Sequence, residues 1–555
     1  MASEQAPASG SVRERERTAG TVSASFLERW EHGRGAALVR RWFSGAVVVA
    51  MLVVGYAVRR STLPTTSLWF DDAWVAAGAL HFTPSQLFVA GSAHPGFTVT
   101  LRLFHEAFPG DVGRLAYLPF LAGWVAAPCM YLWLRSLRFG RSISLLLAVP
   151  LVIGTIPVLY SGRVKPYTLD VVLVIAVFVA LPRLAAKTWR WSTAAAWVGG
   201  AVIAGSFSGN VMLTTALAGG VLVLHPAGDR VVRVAAVAVQ GALQLLLYTA
   251  YARASDLDGI ERFMNYYDGH VDFHGNPLDF LDEVLTHMAR IAEVHPGGAG
   301  VALRLVAVAA LSGLVIGAIR PRRRAEALSS RLALGLLLFA FAASLFDRFP
   351  FGPSSFSLYF PGSPGSRHSL WLAPIFALGL AVALNRIAQR LTGAARPVFH
   401  AVALAASVAV LFLGYGRPFP YPSDEAPQAT RVVDQWAASA DAVIVTDTRV
   451  YAYALYTSEA VVLVPTPTHQ VGFTPAIEDE RFHGLGAWSE RRLAPKPLRA
   501  IVEDATDVVV YDTLIGPGSD EHVAPVMRAE GFTAVDTRVF GIDVVRKWRR
   551  EPTPR

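Results

Sequence analysis

Two adjacent carboxylates, Asp71 and Asp72, stand in the stretch SLWFDDAWVAAG (67–78), flanked by Trp69, Phe70 and Trp74. A carboxylate partly buried under aromatic rings has a raised pKa and can take the proton of an attacking hydroxyl. Neighbouring side chains diverge by about 100° on a helix and alternate sides on a strand, so one of the two acids faces a substrate while the other turns elsewhere. Three further polar stretches offer partners. AHPGFTVTLRLFHEAF (93–108) opens on His94-Pro95-Gly96, LYSGRVKPYTLD (159–170) carries Tyr160, Arg163, Lys165 and Tyr167, and GSRHSLWLAP (365–374) carries Arg367 and His368. Acids from one part of the chain and cations from others suit a substrate that gains negative charge as it reacts. Fixed cations such as Arg163, Lys165 and Arg367 would hold that developing charge more strongly in the transition state than in the ground state.

The elements that must position these residues are membrane spans. More than half of the 555 residues are hydrophobic, only 17% are charged, and mean hydropathy is +0.40. A soluble domain carries roughly 25% charged residues, and about 20 apolar residues cross a bilayer as a helix. After a polar, Arg-rich tail at 1–41, apolar runs fall at 42–58, 115–134, 142–159, 166–182, 192–207, 209–225, 232–252, 301–319, 331–347, 369–388 and 398–415. The first run lacks a small-x-small cleavage site and reads as an uncleaved span. The fold class expected is therefore an α-helical polytopic membrane protein of about eleven spans, with 42–415 as the membrane domain.

The net charge of +8 does not point to nucleic acid, because the Arg residues cluster in short loops on one side of this topology. They sit at Arg135, Arg138 and Arg141, at Arg183, Lys187 and Arg190, at Arg230 and Arg233, at 320–324, and at Arg386, Arg390 and Arg396. The positive-inside rule makes that side cytoplasmic, together with the N-terminus, in a multi-pass protein of the plasma membrane. The segment 94–108 is read as an interfacial helix, since counting it as a span would turn every later Arg cluster outward. The outer side then holds 59–114, 160–165, 253–300, 348–368 and everything from about 420. In 420–555, short apolar runs at 442–446, 460–464, 507–512 and 542–546 alternate with helix-like stretches, which predicts a small extracytoplasmic α/β domain.

Each motif also has a plainer reading. Asp71 and Asp72 would suit the dipole of a following helix without any chemistry. Arg163 and Lys165 would suit snorkelling to lipid headgroups. In NYYDGHVDFHGNPLDFLDEV (265–284), His270 and His274 are four apart and flanked by Asp268 and Asp272, a spacing that holds a divalent metal only on a helix, which Gly269 and Gly275 disfavour. Tyr266 and Tyr267 of that loop instead suit a substrate-facing segment. Cys129 reads as a packing residue.

Taken in order, these motifs resemble the GT-C membrane glycosyltransferases that use polyprenyl-phosphate sugars, among them protein O-mannosyltransferases and RgtA/B/C/D-like enzymes. FDDAW matches the acidic pair of that family's first outer loop, AHPGF its His-Pro-Pro-like or Lys-Pro-Pro-like helix start, and YSGRVKPYTL its later Tyr-Ser segment. The resemblance covers about 40–415 and is densest at 67–182. Departures are Asp72 where Glu is frequent, Gly96 in place of the second Pro, and Lys165 in place of the usual Arg, with Arg163 two residues earlier.

The resemblance implies Asp71 as base and Asp72 as an orienting group. It implies Arg163, Lys165 and Arg367 at the donor phosphate, and inversion at the anomeric carbon. His94, Tyr160, Tyr167, His368 and Tyr267 would contact substrate. The partners expected are a polyprenyl-phosphate-linked sugar donor, membrane lipids and a polysaccharide, lipid or protein acceptor, with no nucleic acid. No cofactor is required by the residues, and the resemblance leaves divalent-metal dependence open. The competing class is a transporter or flippase of a lipid-linked or anionic substrate. Transporters usually place ionisable groups near the bilayer midplane, whereas here the polar motifs gather at one face.

Overall fold

The computed structural model describes residues 34–64, 67–83, 86, 94–226, 229–254, 275–291, 301–346, 366–415, 425–446, 449–465, 473–477, 479–485, 495–513 and 520–551. Gly55–Arg555 forms one compact unit and the residues up to Val54 another. The helices of the N-terminal three quarters are α1 (Arg34–Arg59), α2 (Phe70–His81), α3 (Pro95–Ala107), α4 (Tyr117–Ser136), α5 (Arg141–Ile153), α6 (Thr155–Leu159), α7 (Tyr167–Ala186), α8 (Trp191–Gly205), α9 (Gly209–Leu224), α10 (Arg230–Ala254), α11 (Pro277–Ile291), α12 (Val301–Ile319), α13 (Arg324–Leu345), α14 (Ala373–Arg390) and α15 (Ala395–Tyr415).

Each apolar run of the sequence lies largely in these helices, the run at 142–159 being divided between α5 and α6. Among the described residues, seven helices are long and apolar enough to cross a membrane, and eight if α5 and α6 form one broken span. The chain is a multi-pass membrane protein. The α5–α6 pair bends by 53° at Gly154, between Pro150 and Pro157, two residues that each remove a helix hydrogen-bond donor. Helix α3 has 13 residues, too few to span, in line with its reading as interfacial. Its Arg102 pairs with Glu106 at 3.4 Å on the polar side. The polar stretch at 265–284 contains an element not foreseen: from Pro277 it winds into α11, where Phe280 meets Phe341 of α13 with ring centroids 5.7 Å apart.

At the end bearing the Arg-rich loops, charge closes on the helix termini. Arg233 pairs with Asp229 at 3.1 Å and donates to the Lys187 carbonyl beyond the end of α7 at 2.9 Å, a favourable place for a cation. Arg386 of α14 pairs with Glu326 of α13 at 2.6 Å.

The C-terminal region contains α16 (Ala426–Ala437), β1 (Ala442–Thr446), α17 (Arg449–Tyr456), β2 (Val461–Pro465), β3 (Phe473–Ile477), β4 (Phe482–Leu485), α18 (Pro495–Val502), β5 (Asp507–Thr513), α19 (Asp520–Ala529), β6 (Phe532–Phe540) and β7 (Asp543–Arg550). The main sheet has the order β4-β1-β5-β7-β6. Strand β1 is parallel to β4 and β5, with Ala442 opposite Val508. Strand β7 is antiparallel to β5 and β6, with Asp507 opposite Arg549. Strands β2 and β3 form a separate hairpin-like pair.

Both faces of the main sheet are covered, which is why β1 and β5 read as continuous apolar runs. Val433 and Trp436 pack with Val443 and Val509 on one side, and Leu498 and Met527 pack with Ile444 and Val510 on the other. The expected strands at 442–446, 460–464, 507–512 and 542–546 are present, the last extended to Arg550. Strand β6 was not anticipated. Its residues are mostly exposed, so it lacks the apolar run that marks the buried strands.

Candidate active site

Helix α2 starts directly after Trp69, whose carbonyl accepts the amides of Asp72 at 2.8 Å and Ala73 at 2.9 Å. Asp71 and Asp72 therefore occupy its first turn, where negative charge meets the positive end of the helix dipole. The dipole is not the only partner of Asp72. Its side chain is 0% exposed and its Oδ2 accepts the Nε–H of Arg163 at 2.6 Å. Trp69 is buried beside it. An ion pair withdrawn from water this completely is costly unless it is well formed, and breaking one side of it strands the other charge.

Arg163 belongs to the turn between α6 and α7. Tyr160-Ser161-Gly162 form a short 3-10 turn, and the Lys165 amide donates back to the Arg163 carbonyl at 2.7 Å. Gly162 is needed there, since a Cβ on it would lie 1.9 Å from the Thr62 carbonyl oxygen. Arg163 and Lys165 are each only 5% exposed. Neither snorkels to lipid: the Lys165 ammonium sits 4.2 Å from the centre of the Trp74 ring, a cation–π contact, and the Arg163 guanidinium lies 6.0 Å from the Tyr160 ring. Tyr160 and Tyr167 meet edge to face at 5.2 Å. Asp72 of the first loop thus meets the turn that carries Arg163 and Lys165.

A third cation, not singled out in the sequence, supports this turn from beneath. Arg59, at the end of α1, is 1% exposed. It donates through Nε to Ser161 Oγ at 2.9 Å and through Nη1 to the Val152 carbonyl at 2.7 Å, and Nη2 reaches the Leu151 carbonyl. The break between α5 and α6 leaves carbonyls without helical donors, and the planar fork of Arg59 satisfies them. Arg59 lies on the side opposite the Arg-rich loops, so the charge-side argument applied to Arg163 and Lys165 would also have found it.

His94 caps the same region from α3. Its Nε2 accepts the Gly209 amide at 3.0 Å, and the Gly96 amide donates to the Ser206 carbonyl at 2.9 Å. Proline at position 96 would lack that donor, and any Cβ there would fall 2.1 Å from Ser206 Oγ, which accounts for the Gly in this motif. Desolvation pushes the His94 imidazole down to about 4, consistent with a neutral ring whose Nε2 accepts. Asp170, also not singled out, is buried in the first turn of α7 and accepts from Asn210 Nδ2 at 3.0 Å. His94 and Asp170 therefore both meet the 206–210 turn that opens α9.

The side chains of Asp71, Arg367 and His368 lie outside the described residues, although Asp71 is in the first turn of α2 and Arg367 and His368 are in a 3-10 turn at Ser366–Leu372. Tyr267, His270 and His274 lie wholly outside them. Among the described residues no group of three or more His, Cys, Asp or Glu side chains is arranged to hold a metal ion.

The C-terminal region reaches this site. Ala73, Ala77 and Phe82 pack with Ala426, Tyr451 and Ala452 of α16 and α17, with Trp74, Leu455 and Tyr456 at the edges. The Leu68 amide, four residues before Asp72, donates to the Tyr456 hydroxyl at 2.9 Å.

No family model matches the chain, and no curated protein matches it in sequence. Solved structures do match. The crystal structure of ArnT from Cupriavidus metallidurans in the apo state aligns with 92% of this chain and 98% of its own, at a TM-score of 0.51 and 11% identity. The structure of the same protein bound to undecaprenyl phosphate aligns with 93% of this chain and 98% of its own at a TM-score of 0.46 and 11% identity. The Archaeoglobus fulgidus oligosaccharyltransferase, in complex with Zn and sulfate, aligns with 84% of this chain and 67% of its own at 0.45 and 12%. The chain shares the overall fold of ArnT, a membrane-transferase fold of the kind that the resemblance of the motifs implied.

Proposed function

We propose that this chain is an inverting glycosyltransferase that moves a sugar from a polyprenyl-phosphate donor to a hydroxyl acceptor at the outer face of the plasma membrane. The observation that carries the reading is the buried Asp72–Arg163 pair, in which an acid of the first loop and a cation from the far end of α6 meet in a GT-C fold. In this reading the N-terminal tail is cytoplasmic, 42–415 is the catalytic domain and the C-terminal domain is extracytoplasmic.

A polyprenyl-phosphate sugar is a phosphodiester with one negative charge, and cleavage of its sugar–phosphate bond leaves a monoester that gains a second. Arg163 and Lys165, with Arg367, are the groups assigned to that charge. Asp72 fixes the plane of the Arg163 guanidinium and is thereby committed. Asp71, one position away on α2, is the base that takes the acceptor proton as its oxygen attacks the anomeric carbon. Attack from one side with the phosphate leaving on the other inverts the anomeric centre. Tyr160, Tyr167, His368 and Tyr267 are assigned to the sugar and acceptor, and His94 to the wall that α3 and α9 form around them.

Membranes containing the chain, given a panel of labelled polyprenyl-phosphate sugars, should incorporate label into a glycosidic product, and Asp71→Asn should not. Movement of label across reconstituted vesicles with no new glycosidic bond would favour the transporter reading instead.

A further inference from the structure

Helix α17 belongs to the C-terminal domain by sequence, yet it is held from three directions and its fourth side lies on α2. At its start, Arg449 pairs with Asp543 of β7 at 2.8 Å, both side chains no more than 1% exposed. At its end, Asp434 of α16 accepts the Tyr453 hydroxyl at 2.6 Å and the Thr457 hydroxyl at 3.0 Å. Tyr453 also stacks on Phe482 of β4 at 5.6 Å. Against the start of α2 it presents a polar contact: the Tyr456 hydroxyl accepts the Leu68 amide at 2.9 Å, from a residue 388 positions away. Leu68 is fully buried, so its amide cannot exchange this acceptor for water without the local structure opening.

We propose that Tyr456 is a positioning residue through which the C-terminal domain sets the orientation of the acidic helix α2. The inference rests on the reading of Asp71 and Asp72 as the acidic pair of a sugar transfer. It gives the domain a role in the reaction distinct from binding an acceptor. The Trp69 carbonyl caps the first turn of α2, and its neighbour Leu68 is fixed by Tyr456, so the backbone turn that carries Asp71 and Asp72 is anchored to α17. A group that aims a base contributes to the rate through geometry, and a displacement of about 1 Å can cost on the order of a hundredfold.

The test is Tyr456→Phe, which keeps the ring and deletes the acceptor. Two readings are made on the full chain in detergent or nanodiscs, normalised to folded protein by size-exclusion chromatography. In the first, kcat for sugar transfer should fall about ten- to a hundredfold with KM for the donor unchanged, and the acid limb of the pH–rate profile should move to lower pH as the base becomes better solvated. In the second, hydrogen–deuterium exchange of peptides covering 67–74 should quicken while peptides of β1 and β5 stay protected. A variant with wild-type kcat, pH profile and exchange would overturn the inference. So would a variant whose only change is a lower Tm, because that is what a merely structural tyrosine would show. If the wild-type chain transfers no sugar at all, the transfer reading fails by itself, and the exchange of 67–74 still reports whether Tyr456 holds the helix.

Discussion

Arg163 donates its Nε–H to Oδ2 of Asp72 at 2.6 Å, joining two buried charges that are 91 positions apart in the chain. Removal of either partner leaves the other buried and uncompensated, a loss of about 3–5 kcal/mol in comparable pairs. We expect Asp72→Asn and Arg163→Gln each to lower the thermal midpoint in detergent and to reduce sugar transfer. The double variant should be less destabilised than the sum of the two, the signature of coupled residues in a double-mutant cycle. Additive losses would mean that the two side chains do not act as a pair.

Arg59 makes a separate prediction. Its fork serves Ser161, Val152 and Leu151 at once, and lysine has a single point of charge on a flexible stem. Arg59→Lys should therefore cost about 1–3 kcal/mol through the carbonyl and hydroxyl partners it abandons. It should also reduce transfer, because Ser161 leads into the turn that carries Arg163. Differential scanning fluorimetry and a transfer assay on the same preparation measure both.

Gly96 tests the packing of α3 against the 206–210 turn. Gly96→Ala places a Cβ 2.1 Å from Ser206 Oγ and 2.9 Å from the Ser206 carbonyl carbon. Overpacking of this kind costs about 1–3 kcal/mol. Adding Ser206→Ala should restore only part of the loss, since the carbonyl carbon is unmoved by that change.

His94 predicts a pH dependence with a definite sign. Its pKa is pushed down from 6.5 to about 4 by burial, so between those values the unfolded chain binds a proton that the folded chain does not. Stability is complete above about pH 6.5 and falls as the pH drops toward 4, by on the order of 3 kcal/mol once the native group has titrated. The thermal midpoint followed from pH 7 to pH 4 should decline, and His94→Asn should flatten that decline while lowering the plateau. An unchanged slope in the variant would place the pH sensitivity elsewhere.

Much of this site could be read from the sequence, for physical reasons that also explain what could not. The spans and their order follow from apolar run length. Trp69-Phe70-Asp71-Asp72 and Arg163-Val164-Lys165 are conspicuous because ionic groups beside a bilayer need partners, and the charge-side argument put both on one face. Gly96 looked like a departure from the family pattern until the Ser206 carbonyl gave it a reason. Arg59 stood at the start of the outer loop 59–114 with no partner visible in the sequence, since Ser161, Val152 and Leu151 come from a distant part of the chain. Asp170 sat inside a quoted motif without a visible partner, since Asn210 arrives from another helix. Tyr456 could not be found by any local pattern. A single hydroxyl on a short helix gains its meaning only from the fold that brings it to Leu68.

The most direct test of the whole account is transfer by Asp71→Asn, compared with wild type in membranes supplied with labelled polyprenyl-phosphate sugars. The account predicts a glycosidic product from the wild-type chain and a loss of about a hundredfold or more in the variant, with expression and Tm retained. Full transfer by Asp71→Asn, or label crossing the membrane with no glycosidic product from either protein, would contradict it.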